Sequence, residues 1–268
     1  MERMHLMVNA QSVKRKKLCQ KAHQKVIREQ KAKEYAHLPP VSCDIKQAIV
    51  KEVDYSAAKE IIEEYEWLKC MSAIVKHCYG IFFGDACAGV VVFSQEYSEN
   101  LGHWDKYDYT GKMILLSRGA CVYWAHPHSA SKLISTAIKL LPEKYKVVTA
   151  TVDELAGEIG TIYQACNFYY IGSMRENNPN VKNPNGGRFG VLINDKLYGA
   201  RSMRQKIGSQ RKADVLERWP DAVFVKQMPK RRYFYFRGTK KERAYYLSKI
   251  QKFVKPYPKR EIPQKPSP

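Results

Sequence analysis

The stretch of residues 113–174 constrains the fold of this chain most strongly. It contains an apolar run over 113–116, a polar break at Ser117-Arg118-Gly119, a second apolar run over 120–124 and the loop His126-Pro127-His128-Ser129. Apolar residues at helical spacing follow over 130–141, then a strand pattern over 145–152, a second helix over about 158–166 and a strand over 168–171. This alternation of strands and helices predicts an α/β domain with helices packed on a sheet.

Polar residues collect where these strands end and the helices begin. Ligands of α/β sheets bind at this edge, and the unpaired N–H groups of a helix N-terminus bind phosphate. The loop 125–131 is therefore the first candidate for binding a phosphate-bearing cofactor. The residues predicted to contact this cofactor are Ser117, Arg118, His126, His128 and Ser131.

Two of these predictions have structural alternatives. Arg118 interrupts an apolar strand, where a charge needs a partner, and it either pairs with Asp153 or Glu158 or holds a phosphate or a target nucleotide. His126 and His128 either shape a turn around a proline or act as a base or metal ligands. Together with Asp153 or Glu158 they are the ligand types of a two-His, one-carboxylate site for Fe(II).

The remainder of the chain gives clear local patterns. A strand is predicted over 47–53, a helix over 57–68 capped by Ser56, and a hairpin of 78–83 and 88–94 around Gly84-Asp85. The acidic residues of the helix, Glu60, Glu63, Glu64 and Glu66, are interpreted as its solvated face. A loop over 175–190, a hairpin over 191–198, strands over 223–228 and 232–236, and a helix over 240–253 complete the prediction.

The segment Tyr163-Gln164-Ala165-Cys166-Asn167-Phe168 resembles the YxxxGF pattern of the GNAT acyltransferase superfamily. Asn167 replaces the glycine, and Asn tolerates the left-handed conformation needed there. His126-Pro127-His128-Ser129-Ala130 replaces the glycine-rich pyrophosphate loop of that superfamily. The segments SRGACVYWAHPHSASKLI, VTATVDELAGEIGTIYQACNFYYIGSM and KRRYFYFRG look like the Mom-type DNA-modification proteins of bacteriophages, over residues of about 50–245.

This resemblance implies a GNAT-like α/β fold, with a mixed, largely antiparallel sheet flanked by helices, a basic N-terminal arm and a basic C-terminal extension. It implies a transferase that converts the exocyclic amine of adenine in duplex DNA to a carbamoylmethyl derivative and protects phage DNA from restriction. The donor is expected to be an acyl-CoA such as acetyl-CoA, or another activated donor. The expected catalytic residues are Asp153, Glu158, Tyr163 and Ser129: either carboxylate accepts the proton of the amine, and Tyr163 protonates a departing thiolate. Ser129 and Ser131 are also expected to cap the helix that follows them.

The distribution of charge points to a polyanionic partner. The net charge is +20, with +7 in residues 1–35, −2 in residues 36–200 and +15 in residues 201–260. Because the basic segments lack a clean apolar face, double-stranded DNA or RNA is favoured over a membrane, and a merely solubilising surface is the alternative. The segment 201–219 is predicted as helix, Gly208-Ser209, helix. The predicted phosphate contacts are Arg201, Arg204, Lys206, Arg211, Lys212, Lys230, Arg231 and Arg232.

The aromatic loop 96–111 has two interpretations. Trp104, Tyr107 and Tyr109 either stack on nucleic-acid bases or pack as an ordinary surface loop.

The predicted organisation has four parts. Residues 1–37 form a basic helical or disordered arm, 38–200 a catalytic core, 201–255 a DNA-binding segment that completes the fold, and 256–268 a disordered tail. Scattered cysteines without a CxxC pair, and the lack of a signal peptide or apolar span, favour the cytoplasm. Two other functions stay open: a conventional acetyl-CoA-dependent N-acetyltransferase acting on a protein, small amine or RNA, and a DNA-binding protein of the same fold without catalysis.

Overall fold

A seven-stranded sheet forms the centre of the protein. The structure, a computed structural model, describes residues 22–39, 41–96, 102–173, 188–194, 196–227 and 230–260. The strands of the main sheet are β1 (Ile49–Glu52), β2 (Val75–Phe83), β3 (Ala86–Ser94), β4 (Met113–Cys121), β5 (Val147–Val152), β6 (Tyr169–Ser173) and β10 (Arg231–Phe236). Their order is β1-β2-β3-β4-β5-β10-β6, and every neighbouring pair is antiparallel except β4 and β5. The predicted mixed, largely antiparallel sheet is confirmed.

Five helices of the described chain pack around this sheet. They are α1 (His23–Glu34), α2 (Tyr55–Tyr65), α3 (Ser129–Leu140), α4 (Thr161–Ala165) and α7 (Lys240–Ile250). Of these, α2 and α3 pack on it through apolar faces. Ala58 and Ile62 of α2, and Leu133 and Ala137 of α3, are buried at the helical spacing that the sequence shows. Fully burying one such aliphatic side chain contributes roughly 1.5–3 kcal/mol. The predicted cap of α2 is wrong, because Asp54 precedes the first turn and Ser56 lies inside the helix.

The aromatic loop before β4 belongs to a second hydrophobic cluster. Trp104 and Tyr109 are almost fully buried against Phe234 and Phe236 of β10. The Tyr109 hydroxyl donates a hydrogen bond of 2.7 Å to the carbonyl of Tyr246 on α7. The prediction that Trp104 and Tyr109 stack on nucleic-acid bases is therefore wrong, and both side chains pack inside the protein.

Residues 188–227, here called the insert, form a second small sheet with its own core. Its strands are β7 (Arg188–Ile193), β8 (Lys196–Tyr198) and β9 (Val223–Gln227), in the order β8-β7-β9. The predicted pair of helices is confirmed as α5 (Ala200–Ile207) and α6 (Lys212–Arg218), and α5 ends at Gly208 in the left-handed conformation. Val191, Ile193, Met203 and Val215 form the separate core. The predicted loop over 175–190 is wrong at its end, where β7 begins, and 175–187 lie outside the described residues.

The insert leaves and rejoins the main sheet at one place. In the sheet, Arg231 at the start of β10 is paired with Ser173 at the end of β6 and with Val152 at the end of β5. Both connections of the insert therefore arise beside the carboxyl end of β5. The insert spans the predicted division at 200/201, since β7 and β8 precede it and α6 and β9 follow it, and β10 completes the main sheet after the insert.

The two terminal segments differ in outcome. Within the predicted arm, residues 23–34 are helical and Ile27 is buried, while residues 1–21 lie outside the described chain. The predicted disorder of the tail is wrong for residues 256–260, which contact the main domain through Tyr257, Pro258 and Arg260. Residues 261–268 lie outside the described part of the chain. None of the described helices is long and apolar enough to cross a membrane.

Candidate active site

A wedge opens between the carboxyl ends of β4 and β5. The two strands pair only where 113–116 face 147–150, although both continue further. On the other side of β4, Arg118 is paired with Val92 and Leu116 with Phe93, so Ser117 is an extra residue in the strand. A β-bulge of this kind bends its strand. The predicted polar break is thus a bulge inside one continuous strand. The Ser117 hydroxyl donates to the carbonyl of Val92 at 3.1 Å and forms a second hydrogen bond of 2.7 Å with Ser94 Oγ.

The edge of β4 that faces the wedge receives side chains from α1. Val122 N donates to Ala88 O, so Val122 points its backbone groups towards β3. Successive residues of an antiparallel strand point these groups to alternate sides, so the Gly119 carbonyl points away from β3 and towards this edge. Gln24 Nε2 donates a hydrogen bond to that carbonyl. Arg28 Nη2 donates to the carbonyl of Ala125 at 2.7 Å, in the loop before α3. Helix α1 therefore lies across the mouth of the wedge.

The negative charges of two carboxylates from separate segments, Glu66 and Asp153, act on a third, Glu158, and we call these three residues the carboxylate group. Burial first, and then the negative charges of Glu66 and Asp153, raise the pKa of Glu158 from 4.5 to about 7, with the positive charge of Arg260 acting in the opposite direction. Burial also raises the pKa of Glu66, against the attraction of Arg118 and Lys230. An acid with a pKa near 7 is half ionised at neutral pH, which suits a general base.

The loop that carries Glu158 has little regular structure and is held by tight contacts. Gly157 and Gly160 both adopt positive φ, at 69° and 80°. A Cβ at Gly160 would lie 2.5 Å from the Tyr233 ring, so only glycine fits there. The Tyr233 hydroxyl in turn donates a hydrogen bond of 2.5 Å to the carbonyl of Ile159.

Tyr163 lies beside this loop on α4. Its ring contacts Phe168 at 5.3 Å and Tyr233 at 5.4 Å between centroids. Burial, followed by the negative charges of Glu158 and Glu66, raises the pKa of its hydroxyl well above the ordinary range. Tyr163 therefore stays protonated at neutral pH and can donate a proton. Asn167, which follows α4, has a φ of 59°, as its place in the YxxxGF-like pattern predicts.

Arg118 contacts different groups from those predicted. Its Nε donates to the carbonyl of Cys70 at 2.7 Å and its Nη1 to the carbonyl of Ser117 at 2.6 Å. Its positive charge acts on Glu66. The predicted pairing of Arg118 with Asp153 or Glu158 is therefore wrong. The guanidinium instead links the bulge in β4 to the segment that follows α2.

The residues before and inside the first turn of α3 fit a phosphate-bearing group. The backbone N–H groups of Ala130 and Ser131 lie in the first turn, which has no intrahelical acceptors for them. The Ser129 hydroxyl is fully buried and has no hydrogen-bond partner in the described chain. Capping by Ser129 is wrong, since His128 is the N-cap residue and Ser129 the first helical residue. Ser131 Oγ instead donates to the carbonyl of His128 at 3.0 Å.

The predicted metal site is not assembled. His126 and His128 lie with ring centroids 5.4 Å apart, and the backbone N–H of His128 donates to His126 Nδ1 at 3.1 Å. This hydrogen bond stabilises the turn around Pro127, which is the alternative to a base or metal ligand that the sequence left open. Among the described residues no three His, Cys, Asp or Glu side chains lie close enough to hold a metal ion, so Asp153 does not join the two histidines.

The predicted DNA contacts divide into two sets. Four of them are exposed on the insert, and we call Arg204, Lys206, Arg211 and Lys212 the insert cations. The backbone of Arg201 is in α5, and its side chain lies outside the description. Lys230 is exposed beside β10, where its charge acts on Glu66.

Two further arginines have partners inside the fold. Arg231 forms an ion pair with the buried Glu154, and Arg232 Nη1 bonds the fully buried Glu96 at 3.1 Å. Replacing one partner of a buried pair leaves a buried charge uncompensated. The observed contacts of Arg231 and Arg232 are therefore structural, and their role in DNA binding stays a prediction.

Sequence reasoning missed several residues of the site. Glu66 was assigned to the solvated face of α2, but the helix ends at Tyr65, and the extended backbone of Glu66 (ψ 149°) turns its side chain inward. Gln24, Arg28 and Arg260 reach the site from the two terminal segments. The one sequence signal for Glu66 is that the helical spacing of apolar residues in α2 ends at Tyr65, just before it. The catalytic and cofactor roles of Ser129, Asp153, Glu158 and Tyr163 stay predictions.

Two surface pockets lie away from the carboxylate group. One is lined by Lys76, Gln95 and Met113 at the start of β4, and the other by Glu52, Asp54 and His77 near β1. Neither is lined by a member of the carboxylate group. The chemistry of the wedge, and not the size of a cavity, therefore identifies the candidate site.

Comparison with known families identifies the family of this chain. The Mom protein family matches residues 47–259, most of the chain. This chain belongs to the Mom protein family. The matched region includes the bulge, the wedge, the carboxylate group and the insert, whereas α1 precedes it. Among curated proteins, no sequence matches this member of the Mom family.

Several solved acetyltransferase structures are similar to this chain at low identity. Spermidine N-acetyltransferase from Vibrio cholerae, in complex with CoA and spermine, is 8% identical over 75% of this chain and 99% of its own, with a TM-score of 0.39. Diaminobutyrate acetyltransferase EctA from Paenibacillus lautus is 10% identical over 72% and 98%, with a TM-score of 0.38. A GNAT family acetyltransferase from Elizabethkingia anophelis with acetyl-CoA bound is 9% identical over 71% and 98%, with a TM-score of 0.34.

Proposed function

We propose that this protein is a transferase that modifies the exocyclic amine of adenine in duplex DNA, adding the carbamoylmethyl group expected of Mom-type proteins and thereby protecting phage DNA from restriction. Membership of the Mom family supports the class of reaction. The observation that carries the proposal is the carboxylate group, in which Glu158 has a pKa of about 7 at the open end of β5. A weakly nucleophilic amine needs a base of this strength at neutral pH.

The side chains supply the two proton transfers of such a reaction. The exocyclic amine loses a proton to the Glu158 carboxylate as its nitrogen forms a bond to the activated carbon of the donor. The bond from that carbon to the leaving group breaks, and the leaving group takes a proton from Tyr163, whose raised pKa keeps it protonated. Asp153 and Glu66 keep Glu158 basic enough for this role, because their charges disfavour its ionised form.

The donor is proposed to be an acyl-CoA or another activated compound with a phosphate-bearing carrier. The first turn of α3 would bind the phosphate through the amides of Ala130 and Ser131 and the hydroxyl of Ser129. The edge of β4 beyond its pairing with β5 would bind the carrier, and the half-buried Gly119 carbonyl on this edge accepts a hydrogen bond from Gln24. When bound, this group supplies the activated carbon.

DNA binding is proposed for the insert. Adenine must flip out of the DNA duplex before its amine can reach the carboxylate that accepts the proton, and this flipping costs a few kcal/mol. The insert cations supply phosphate contacts that position the duplex without reading its sequence. The insert is joined to the main sheet beside the end of β5, where Asp153 begins the segment to Glu158.

Nucleoside mass spectrometry tests the proposal. The protein and its Asp153→Asn and Glu158→Gln variants are expressed in bacteria, and total DNA is digested to nucleosides and weighed. We expect a heavier deoxyadenosine with the wild type, absent with both variants, while the matched control Asp85→Asn, at the exposed hairpin turn, keeps the product.

Binding measurements separate the alternatives. Both inactive variants are expected to bind duplex DNA as tightly as the wild type. DNA left unmodified by a well-folded wild type, supplied with bacterial extract as a source of donor, would refute the proposal. Acetylation of a protein, RNA or small amine by that preparation would then identify a conventional N-acetyltransferase, and tight DNA binding without any product a non-catalytic binding protein.

A further inference from the structure

The segment of residues 255–260, here called the C-terminal strap, is fixed to the main domain by a series of hydrogen bonds. Lys255 N donates to the Tyr170 carbonyl at 2.8 Å, and the Tyr257 hydroxyl donates to the Phe168 carbonyl at 2.7 Å. Gln164 Nε2 of α4 donates to the Pro258 carbonyl at 3.3 Å. The strap therefore runs from β6 past α4 towards the loop that carries Glu158.

Arg260 at the end of the strap reaches this loop directly. Its Nη2 donates a hydrogen bond of 2.8 Å to the carbonyl of Gly157, the residue before Glu158. Its positive charge also acts on the Glu158 carboxylate. The backbone of the loop is otherwise fixed by Tyr233 at Ile159 and by the bond from Gly157 N to the Glu154 carbonyl at 2.9 Å. Arg260 thus fixes the loop immediately beside the proposed base.

We propose that Arg260 is a positioning residue for Glu158: it fixes the loop through the Gly157 carbonyl and sets a positive charge against the Glu158 carboxylate. The proposal rests on the proposed function, in which Glu158 is the base. The strap would then complete the active site, and its sequence of prolines and lysines would serve to deliver one arginine to a fixed place.

The sign of the effect follows from the groups that face Glu158. Glu66, from the segment after α2, and Asp153, after β5, favour the protonated form of Glu158, whereas Arg260 favours the ionised form. Tyr163 on α4 also faces Glu158 and remains neutral, because its own pKa is raised. Removing the charge of Arg260 therefore leaves Glu158 protonated up to a higher pH, and removing the charge of Glu66 has the opposite effect.

Four variants distinguish charge from structure. Arg260→Gln keeps a hydrogen-bond donor without the charge, Arg260→Lys keeps the charge, and Glu66→Gln removes an opposing charge. Lys259→Gln removes an exposed neighbouring charge of the strap as the matched control. Rates of DNA modification are measured from pH 5 to 9 at low salt, because Arg260 is exposed and salt screens its charge.

We expect the rising limb of the profile to move up by about half a pH unit or more in Arg260→Gln, which is about a 3-fold lower rate below neutral pH. Arg260→Lys and Lys259→Gln are expected to match the wild type, and Glu66→Gln to move the limb down. A uniform loss of rate at every pH in both Arg260 variants would indicate a merely structural contact and overturn the proposal, as would an unchanged profile in Arg260→Gln.

A second readout keeps the test independent of activity. The carboxyl group of Glu158 is followed by ¹³C NMR during a pH titration, with its signal assigned by its absence in Glu158→Gln. If the wild type makes no modified DNA, the proposed function fails, but the titration still decides the role of Arg260. An upward move of the Glu158 titration in Arg260→Gln supports the role, and an unmoved titration overturns it.

Discussion

The raised pKa of Glu158 predicts that this residue lowers the stability of the protein at and above neutral pH. The folded state holds the Glu158 proton up to about pH 7, whereas an unfolded chain releases it near 4.5. Between these two values the folded state binds more protons than the unfolded state, so the free energy of unfolding falls as the pH rises. The values differ by about 2.5 pH units at ~1.4 kcal/mol each, so the full cost well above pH 7 is about 3.5 kcal/mol.

Glu158→Gln removes this cost because an amide does not ionise. We expect the variant to match the wild type within ~0.5 kcal/mol at pH 4 and to be about 3 kcal/mol more stable at pH 8, a rise in Tm of roughly 6–12 °C. Urea unfolding of both proteins at the two pH values measures the difference, and Glu60→Gln on the exposed face of α2 is the control. An equal stability difference at pH 4 and pH 8 would refute the reasoning. A gain in stability that accompanies loss of DNA modification is typical of active sites.

Three further predictions concern the other parts of the site. Tyr163→Phe is expected to keep the fold, because the ring contacts remain, and to lower the modification rate at least 10-fold through loss of the proton donor; an unchanged rate would exclude Tyr163 from that role. Changing all four insert cations to Gln is expected to lower the slope of log Kd against log salt concentration by about 3 to 4. The control Lys139→Gln with Lys144→Gln, on the main domain, is expected to leave this slope unchanged. Gln24→Ala with Arg28→Ala is expected to speed trypsin cleavage of α1 at least several-fold while the main sheet stays resistant, and equal cleavage would show that these bonds do not hold the helix.

The secondary structure was largely predictable, because it follows from local patterns. The apolar spacing of α2 and α3 identified both helices and their buried faces, as Ile62 and Leu133 show. The break at Ser117 was visible in the sequence, but its meaning was not. Whether an extra polar residue divides two strands or forms a bulge depends on the register with β3, which is set by residues 20 or more positions away.

The composition of the site was predictable only in part. Glu158 and Asp153 are predicted from the sequence because polar residues after a strand collect at the ligand edge of a sheet, and both belong to the carboxylate group. Glu66, Arg260 and Gln24 are not predicted, since their part in the site comes from contacts between segments distant in sequence. For Arg232 the local sequence was misleading. Its basic neighbours predict a phosphate contact, whereas its observed hydrogen bond is to the buried Glu96, 136 residues away.

The place of β10 in the sheet has a consequence for how the chain folds during synthesis. β10 lies between β5 and β6, yet it is made after both and after the whole insert. Until residue 236 has left the ribosome, β5 and β6 each lack a neighbour, and such open edges can pair with other chains. The insert, with a core of its own, can fold during this interval. Closure of the sheet, and with it the pairing of Val152 with Arg231 beside the carboxylate group, therefore comes after synthesis of the insert, so a nascent chain can complete the core of the insert before it completes the main sheet.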